Sequence, residues 1–383
     1  MEYSLEILKI IEGAIKLDKS KVINYTSLLA NKLDENGDSK TAIRFRKLID
    51  ANRDLEIQPL SAENLYKVPI DQESRLPMAD VYNPTEIDDS IILNKDVKLQ
   101  VARIFEYYQN IDKIMSSGLN IPNSILMYGP PGCGKTKLAK SIGKHLNLTV
   151  VITRLDGLIS SYLGNTSKNI RAIFEYAHRV PCVLFLDEFD ALAKIRDDQH
   201  ELGELKRVVN SLLQNIDSLN NGSILIAATN HDHLLDPAVW RRFSFKLHIE
   251  KPDFDSRIEL IKLFLKNYSL IDNDLTLIAH LFKSLSGSDI EELCHKSLMD
   301  SVVKEQSLDI ALITNHYFEF INLLKDKDKE ELSERDIEKI KSDYLRDLNP
   351  KVFSYAHIGK LLNRSKSHIG NLLSIGGLAD GEQ

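Results

Sequence analysis

The 383-residue chain is long enough for two or three domains, and its 43% apolar and 27% charged shares are those of an ordinary globular protein. A formal charge of −7 argues against nucleic-acid binding by the surface as a whole, though not against a local basic patch. No apolar run approaches the roughly eighteen residues of a membrane span, and Met1-Glu2-Tyr3-Ser4 lacks the basic-then-apolar start of a secretory signal. Cys133, Cys182 and Cys294 are widely spaced, which suits a reducing cytoplasm and predicts neither disulfides nor a metal site.

Residues 1–53 read as a small helical bundle. Leu5, Leu8, Ile11 and Ile15 fall near helical spacing, and Val22, Ile23, Leu28, Leu29 and Leu33 form a second set. Residues 35–39 make a turn, and Thr41 to Asn52 is a candidate third helix. Such a bundle either docks a partner or substrate or simply packs as an appendage. Residues 54–90, with Pro59, Pro69, Pro77 and Pro84, read as a linker. An amphipathic helix over Val97 to Asn110 opens the next domain, 91–250.

That domain is organised around Gly129-Pro130-Pro131-Gly132-Cys133-Gly134-Lys135-Thr136, the spacing of a phosphate-binding loop. Glycines let successive backbone N–H groups point inward and cradle phosphates. Lys135 would reach the β- and γ-phosphates and Thr136 would ligate Mg²⁺. Ser124 to Tyr128 reads as the preceding strand, and a helix starting at Lys137 follows. Thr149 to Thr153 is a β-branched strand, Ser167 to Ala177 a helix, and Cys182 to Leu186 a continuous apolar strand ending in Asp187-Glu188-Phe189-Asp190. Strands alternating with helices predict an α/β fold, a parallel sheet of P-loop NTPase type with helices on both faces. Ligands of such sheets sit beyond the strands' C-terminal ends, where both motifs lie.

Asp187 there can hold Mg²⁺ and Glu188 can polarise an attacking water. A further strand, Ser223 to Ala228, runs into Thr229-Asn230, and Asn230 is placed to bond the γ-phosphate or that water. Arg241 and Arg242 can complement developing phosphate charge as arginine fingers.

At these residues the sequence resembles the AAA family of ATPases, over roughly 90–325. The loop looks like Walker A, Leu184 to Glu188 like Walker B, and Asn230 like sensor 1. A second region of homology runs from Arg207 to Phe243. Arg241-Arg242-Phe243 is similar to the branch containing katanin and spastin, where both arginines act on the neighbouring subunit's nucleotide. The resemblance therefore implies Mg²⁺-dependent ATP hydrolysis by a ring, usually a hexamer, that remodels, unfolds or threads proteins. Tyr162-Leu163-Gly164 matches the family's pore loop, with Asn165 in place of its frequent Glu. Residues 251–325 resemble the helical lid. Within it Gly287-Ser288 stands where the family's Gly-Ala approaches the adenine, and the sensor 2 arginine is missing, as is normal in this branch. The implied nucleotide contacts are Gly129 to Lys137, Asp187, Gly287 and Ser288.

The tail, 326–383, departs from the family. An amphipathic helix reaches about Leu348, and Ser354 to Leu373 resembles a helix-turn-helix, its second half closest to that of ParB-type partition proteins. Ile358, Leu362, Ile369 and Leu372 fall where the two helices pack, Gly359 where they touch, Asn363 at the turn and Ser365 at the cap. Lys366, Ser367, His368 and Asn371 would then face a groove or phosphates. From Asn349 to Ala379 there are four Lys or Arg and no acidic residue. Two readings stay open: a motif for DNA, tethering the ATPase in a plasmid, mobile-element or defence system, or a helical hairpin that docks on the ring or a partner.

Overall fold

The computed structural model describes residues 3–15, 19–51, 68–71, 75–119, 122–154, 163–191, 202–219, 222–266, 268, 270–324 and 332–374. The chain divides into Met1–Lys67 and Val68–Gln383. In the first unit, α1 (Ser4–Ile15), α2 (Lys19–Glu35) and α3 (Ser39–Ala51) pack in sequence. Ala30 and Ala42 are fully buried, which lets helices approach closely, and buried Glu6 is paired with Lys32 at 2.6 Å.

The second unit is built on a six-stranded sheet. Its strands are β1 (Asp80–Tyr82), β2 (Ser124–Tyr128), β3 (Thr149–Arg154), β4 (Cys182–Asp187), β5 (Ile224–Thr229) and β6 (Phe245–His248), in the order β1-β3-β4-β5-β2-β6. All neighbours run parallel except β1, which pairs antiparallel with β3 at one edge. The sheet separates two cores, and alternate residues of each strand enter opposite ones. Leu126, Leu184, Leu225 and Ala227 face one side, while Ile125, Met127, Val183, Phe185 and Ile226 face the other. This is why β4 reads as an unbroken apolar run rather than an alternating one.

Two elements depart from the expectations. The end of the stretch read as a linker belongs to the sheet: Val81 pairs with Val151, and Thr153 Oγ1 donates to the Met78 carbonyl at 2.7 Å. Prolines at 77 and 84 flank this three-residue edge strand, a placement proline tolerates, so they mimic a linker. The helix α7 (Leu163–Arg179) also starts before Ser167, because the small and polar residues of its first turn carry no apolar period.

The sheet helices α4 (Lys95–Gln109), α5 (Ile111–Ser116), α6 (Lys135–His145), α7, α8 (Leu202–Ser218) and the short α9 (Pro237–Trp240) give way after β6 to helices alone. The stretch expected as a lid holds α10 (Phe254–Leu265), α11 (Asp272–Leu281), α12 (Gly287–Val303) and α13 (Ile310–Phe320), followed by tail helices α14 (Glu334–Leu348), α15 (Tyr355–Leu362) and α16 (Lys366–Ser374). Lid and tail share one core. Phe353, Ile358, Leu361 and Ile369 are fully buried in the same cluster as Ile278, Phe282, Ile313 and Tyr317. The Tyr317 and Tyr344 hydroxyls bond at 2.9 Å, and Lys360 pairs with Asp274. No helix among the described residues is long and apolar enough to cross a membrane.

Candidate functional site

The phosphate loop joins β2 to α6, so its backbone amides lead into a helix N-terminus, where anions are favoured. Gly129 has φ +135°, and a Cβ there would lie 2.2 Å from the Ile249 carbonyl oxygen beyond β6. Gly132 has φ +71°, with Ser288 Oγ only 2.1 Å from where its Cβ would be. Gly134, at φ +92°, opens α6. Lys135 is buried, and its ammonium donates to the carbonyls of Gly129 at 2.7 Å and Pro130 at 2.8 Å. Burial holds its pKa below the ordinary lysine value, and the nearby Cys133, Asp187 and Asp190 partly oppose that. The Cys133 thiol is pushed up by burial.

The acidic strand end meets this loop directly. Thr136 Oγ1 donates to Asp187 Oδ2 at 3.2 Å, and Glu188 N donates to Asp187 Oδ1 at 2.9 Å. Glu188 is exposed and adopts φ +53°, a left-handed conformation uncommon outside glycine. Asn230 follows β5, and its Oδ1 is buried without a hydrogen-bond partner among the described residues.

Together these residues line a cavity of about 440 Å³. Pro131 to Lys137, Asp187, Glu188 and Asn230 form its polar end. Ile91, Leu93, Val97, Leu260 and Phe264 supply apolar walls, the mixture expected for a ligand carrying a ring at one end and phosphates at the other. Residues of α10 and α12 bound one side. Gly287 and Ser288 begin α12, and Ser288 N donates to the Gly132 carbonyl at 3.0 Å. The α12 start is fixed by a capping box, with Ser286 N donating to Asp289 Oδ2 at 2.8 Å and Asp289 N to Ser286 Oγ at 3.3 Å. The walls at 91–93 escaped sequence reading, because three consecutive apolar residues show no period. Glu291 also lines the cavity and carried no motif signal.

The loop–lid contact makes a specific prediction. Gly132→Ala forces a β-carbon against Ser288 and imposes a left-handed alanine, so nucleotide affinity is expected to fall at least roughly tenfold, with a strain cost of about 1–2 kcal/mol. Titration with a fluorescent nucleotide checks this, and affinity equal to the parent chain's would refute it.

Two predicted groups stand apart from the cavity. Arg241 and Arg242 follow α9 and are exposed, and neither lines it. Arg242 Nη1 instead pairs with Asp217 of α8 at 2.5 Å. The tip of the pore-loop motif, Tyr162, lies outside the described residues, while Leu163 and Gly164 form the first turn of α7.

In the tail, Asn363 turns the chain at φ 54°, ψ 48°, and Ser365 Oγ accepts from His368 N at 3.1 Å. A Cβ on Gly359 would lie 2.5 Å from the Arg364 carbonyl oxygen, so these two segments touch there. Lys366, Ser367 and Asn371 are exposed. His368 is exposed as well, with its Nε2 2.8 Å from Glu338 Oε2, and Arg364 pairs with Glu338 Oε1 at 2.5 Å. Burial raises the Glu338 pKa, but the Arg364 and His368 hydrogen bonds outweigh that and lower it. With Lys360 bound to Asp274, the basic character of the tail is partly neutralised within the chain.

Residues 125–251 match the profile of the ATPase family associated with various cellular activities (AAA). The uncharacterized AAA family ATPase y4kL of Sinorhizobium fredii is 40% identical over 57% of this chain and 66% of its own length. A proteasome-activating nucleotidase of Pyrococcus furiosus is 35% identical over 48% of each chain. Among solved structures, the FIGL-1 AAA domain in complex with ADP superposes with a TM-score of 0.51 at 25% identity, covering 64% of this chain and 83% of that one. The chain spans less than two thirds of the length of these curated relatives. Sheet order, loop geometry and these likenesses converge: residues 125–251 belong to a domain of the AAA ATPase type.

Proposed function

We propose that the whole chain is an Mg²⁺-dependent ATPase that assembles as a ring, of hexameric type, and uses turnover to remodel, unfold or thread proteins. The observation that carries the ATPase part is the junction of Thr136, Asp187, Glu188 and Asn230 in one cavity, with an unpaired buried oxygen on Asn230. That oxygen can accept a hydrogen from an attacking water, while the amide nitrogen of the same side chain can donate to a phosphate. One hydroxyl and one adjacent carboxylate are hard oxygen donors of the kind Mg²⁺ shares with substrate phosphates.

In this reading Lys135 exchanges the Gly129 and Pro130 carbonyls for the β- and γ-phosphates. Thr136 and Asp187 would hold Mg²⁺, which would neutralise charge on the phosphate oxygens. Glu188 accepts the proton of the attacking water and Asn230 orients it. Gly287 and Ser288 close the lid side of the nucleotide. Arg241 and Arg242, which do not line their own cavity, act on the nucleotide of the adjacent subunit. A ring supplies that neighbour.

The proteasome-activating relative supports protein as the substrate, gripped by Tyr162, Leu163 and Gly164, with residues 1–53 docking partners. The second reading, a DNA-tethered ATPase acting through 354–373, draws on the exposed Lys366, Ser367 and Asn371. The internal pairing of Arg364, His368 and Lys360 weakens it.

ATP turnover measured with an unfolded polypeptide, with duplex DNA and with neither separates the two. Stimulation by polypeptide, lost in Tyr162→Ala with basal turnover kept, is the expected result. Stimulation by DNA that survives Tyr162→Ala and weakens steeply with salt overturns the protein reading.

A further inference from the structure

Asn230 follows β5 directly, and nothing among the described residues hydrogen-bonds its buried Oδ1. Its backbone, however, is held on both sides by a single hydroxyl. Thr229, only 1% exposed, donates its Oγ1 hydrogen to Asp190 Oδ1 at 3.0 Å. The same oxygen accepts a hydrogen bond from His231 N at 3.0 Å. The residues before and after Asn230 are therefore pinned to each other and to Asp190.

Asp190 belongs to the turn that presents Glu188. It is 4% exposed, a depth at which a carboxylate needs polar partners. The turn itself is closed by Ala191 N donating to the Glu188 carbonyl at 2.9 Å, and Phe189 N donates to the Ala228 carbonyl of β5 at 2.8 Å. Glu188 keeps its left-handed φ of +53° only because its surroundings determine it. The strand ends that carry Glu188 and Asn230 are thus joined by one backbone bond and one side-chain bond, both behind the cavity wall.

We propose that Asp190 and Thr229 form a positioning pair that fixes Asn230 relative to Glu188. Neither lines the cavity, so neither touches nucleotide. Their bond acts on the transition state, where a displacement of about 1 Å costs up to roughly 100-fold in rate, and not on binding. This inference rests on the reading of Glu188 and Asn230 as the residues that handle the attacking water.

The test compares Thr229→Val, Thr229→Ser, Asp190→Asn and Asn230→Ala in the full chain, measuring kcat, KM and affinity for a non-hydrolysable ATP analogue. Thr229→Val keeps the shape of the side chain and removes the hydroxyl. It is expected to lower kcat roughly 10- to 100-fold with analogue affinity within about twofold. Thr229→Ser restores the donor and the acceptor, and Asp190→Asn keeps an oxygen to accept from Thr229. Both are expected to retain kcat within about threefold of the parent.

Three results would overturn the inference: parental kcat in Thr229→Val, an equal loss of affinity and rate in that variant, or Thr229→Ser as impaired as Thr229→Val. Should Thr229→Val fail to fold, the Ser and Asn variants still decide, because loss of kcat in both with analogue affinity retained contradicts a role carried by the hydrogen bond. Full turnover in Asn230→Ala removes the underlying reading and this inference with it. Impaired Asn230→Ala beside unimpaired Thr229→Val removes the inference alone.

Discussion

Replacing Glu188 by Gln is expected to lower ATP turnover roughly 100- to 10,000-fold, the usual span for losing a general base. Nucleotide affinity and oligomeric state should persist. Glutamine keeps the volume, the hydrogen-bonding oxygen and the demand for φ +53°, and the Glu188 N–H to Asp187 bond is a backbone donor that the substitution leaves intact. Lys135, Thr136 and Asp187 are untouched, so the loop that would hold phosphates is unchanged. A steady-state phosphate-release assay beside a nucleotide-binding titration separates the two quantities. Turnover within about threefold of the parent chain would remove Glu188 from its role.

Ending the chain at Leu348 is expected to cost the lid its fold, and with it nucleotide binding. The deletion strips Phe353, Ile358, Leu361 and Ile369 from the core they share with Phe282, Ile313 and Tyr317. Fully burying such a side chain contributes about 1.5–3 kcal/mol, so four of them amount to about 6–12 kcal/mol. That is comparable with the roughly 5–15 kcal/mol that keeps a whole domain folded. Circular dichroism melting and nucleotide titration of the truncated chain check this, and an unchanged melting profile with intact affinity would contradict it. Whether the tail binds DNA is therefore better tested by charge reversal at Lys351 and Lys366, which are exposed, than by truncation.

Much of the sheet could be read from the residues alone, for a physical reason. Parallel strands covered on both faces need apolar residues at every position, and Ser124 to Tyr128, Cys182 to Leu186 and Ile224 to Ala228 announce themselves that way. The residues at their C-terminal ends, Thr136, Asp187, Glu188 and Asn230, then follow from topology, and they line one cavity. What stayed illegible depends on distant partners. The edge strand Asp80–Tyr82 is three residues long between prolines, and Phe245–His248 alternates too briefly to signal a strand. The apolar walls at Ile91 and Leu93 gain meaning only when Leu260 and Phe264 arrive opposite them. The sequence does not show that Arg364 and His368 pair with Glu338 and Lys360 with Asp274, while Lys351 and Lys366 stay exposed. The arginine pair follows α9 away from the cavity lining, so its expected role has no target within a single chain.

The two-faced sorting of the sheet has a bearing on chemistry far from any phosphate. Because Ile226 and Leu225 must enter different cores, β5 has one acceptable setting against β2 and β4. A slip by a single residue would turn every side chain to the wrong side and carry the strand's end about 3.3 Å along the sheet. Asn230 would be carried with it, away from Asp187 and Glu188. Grease, in this sense, acts as a vernier: oil-like side chains with no reactive atom determine, to within a bond length or two, where the reactive ones come to rest.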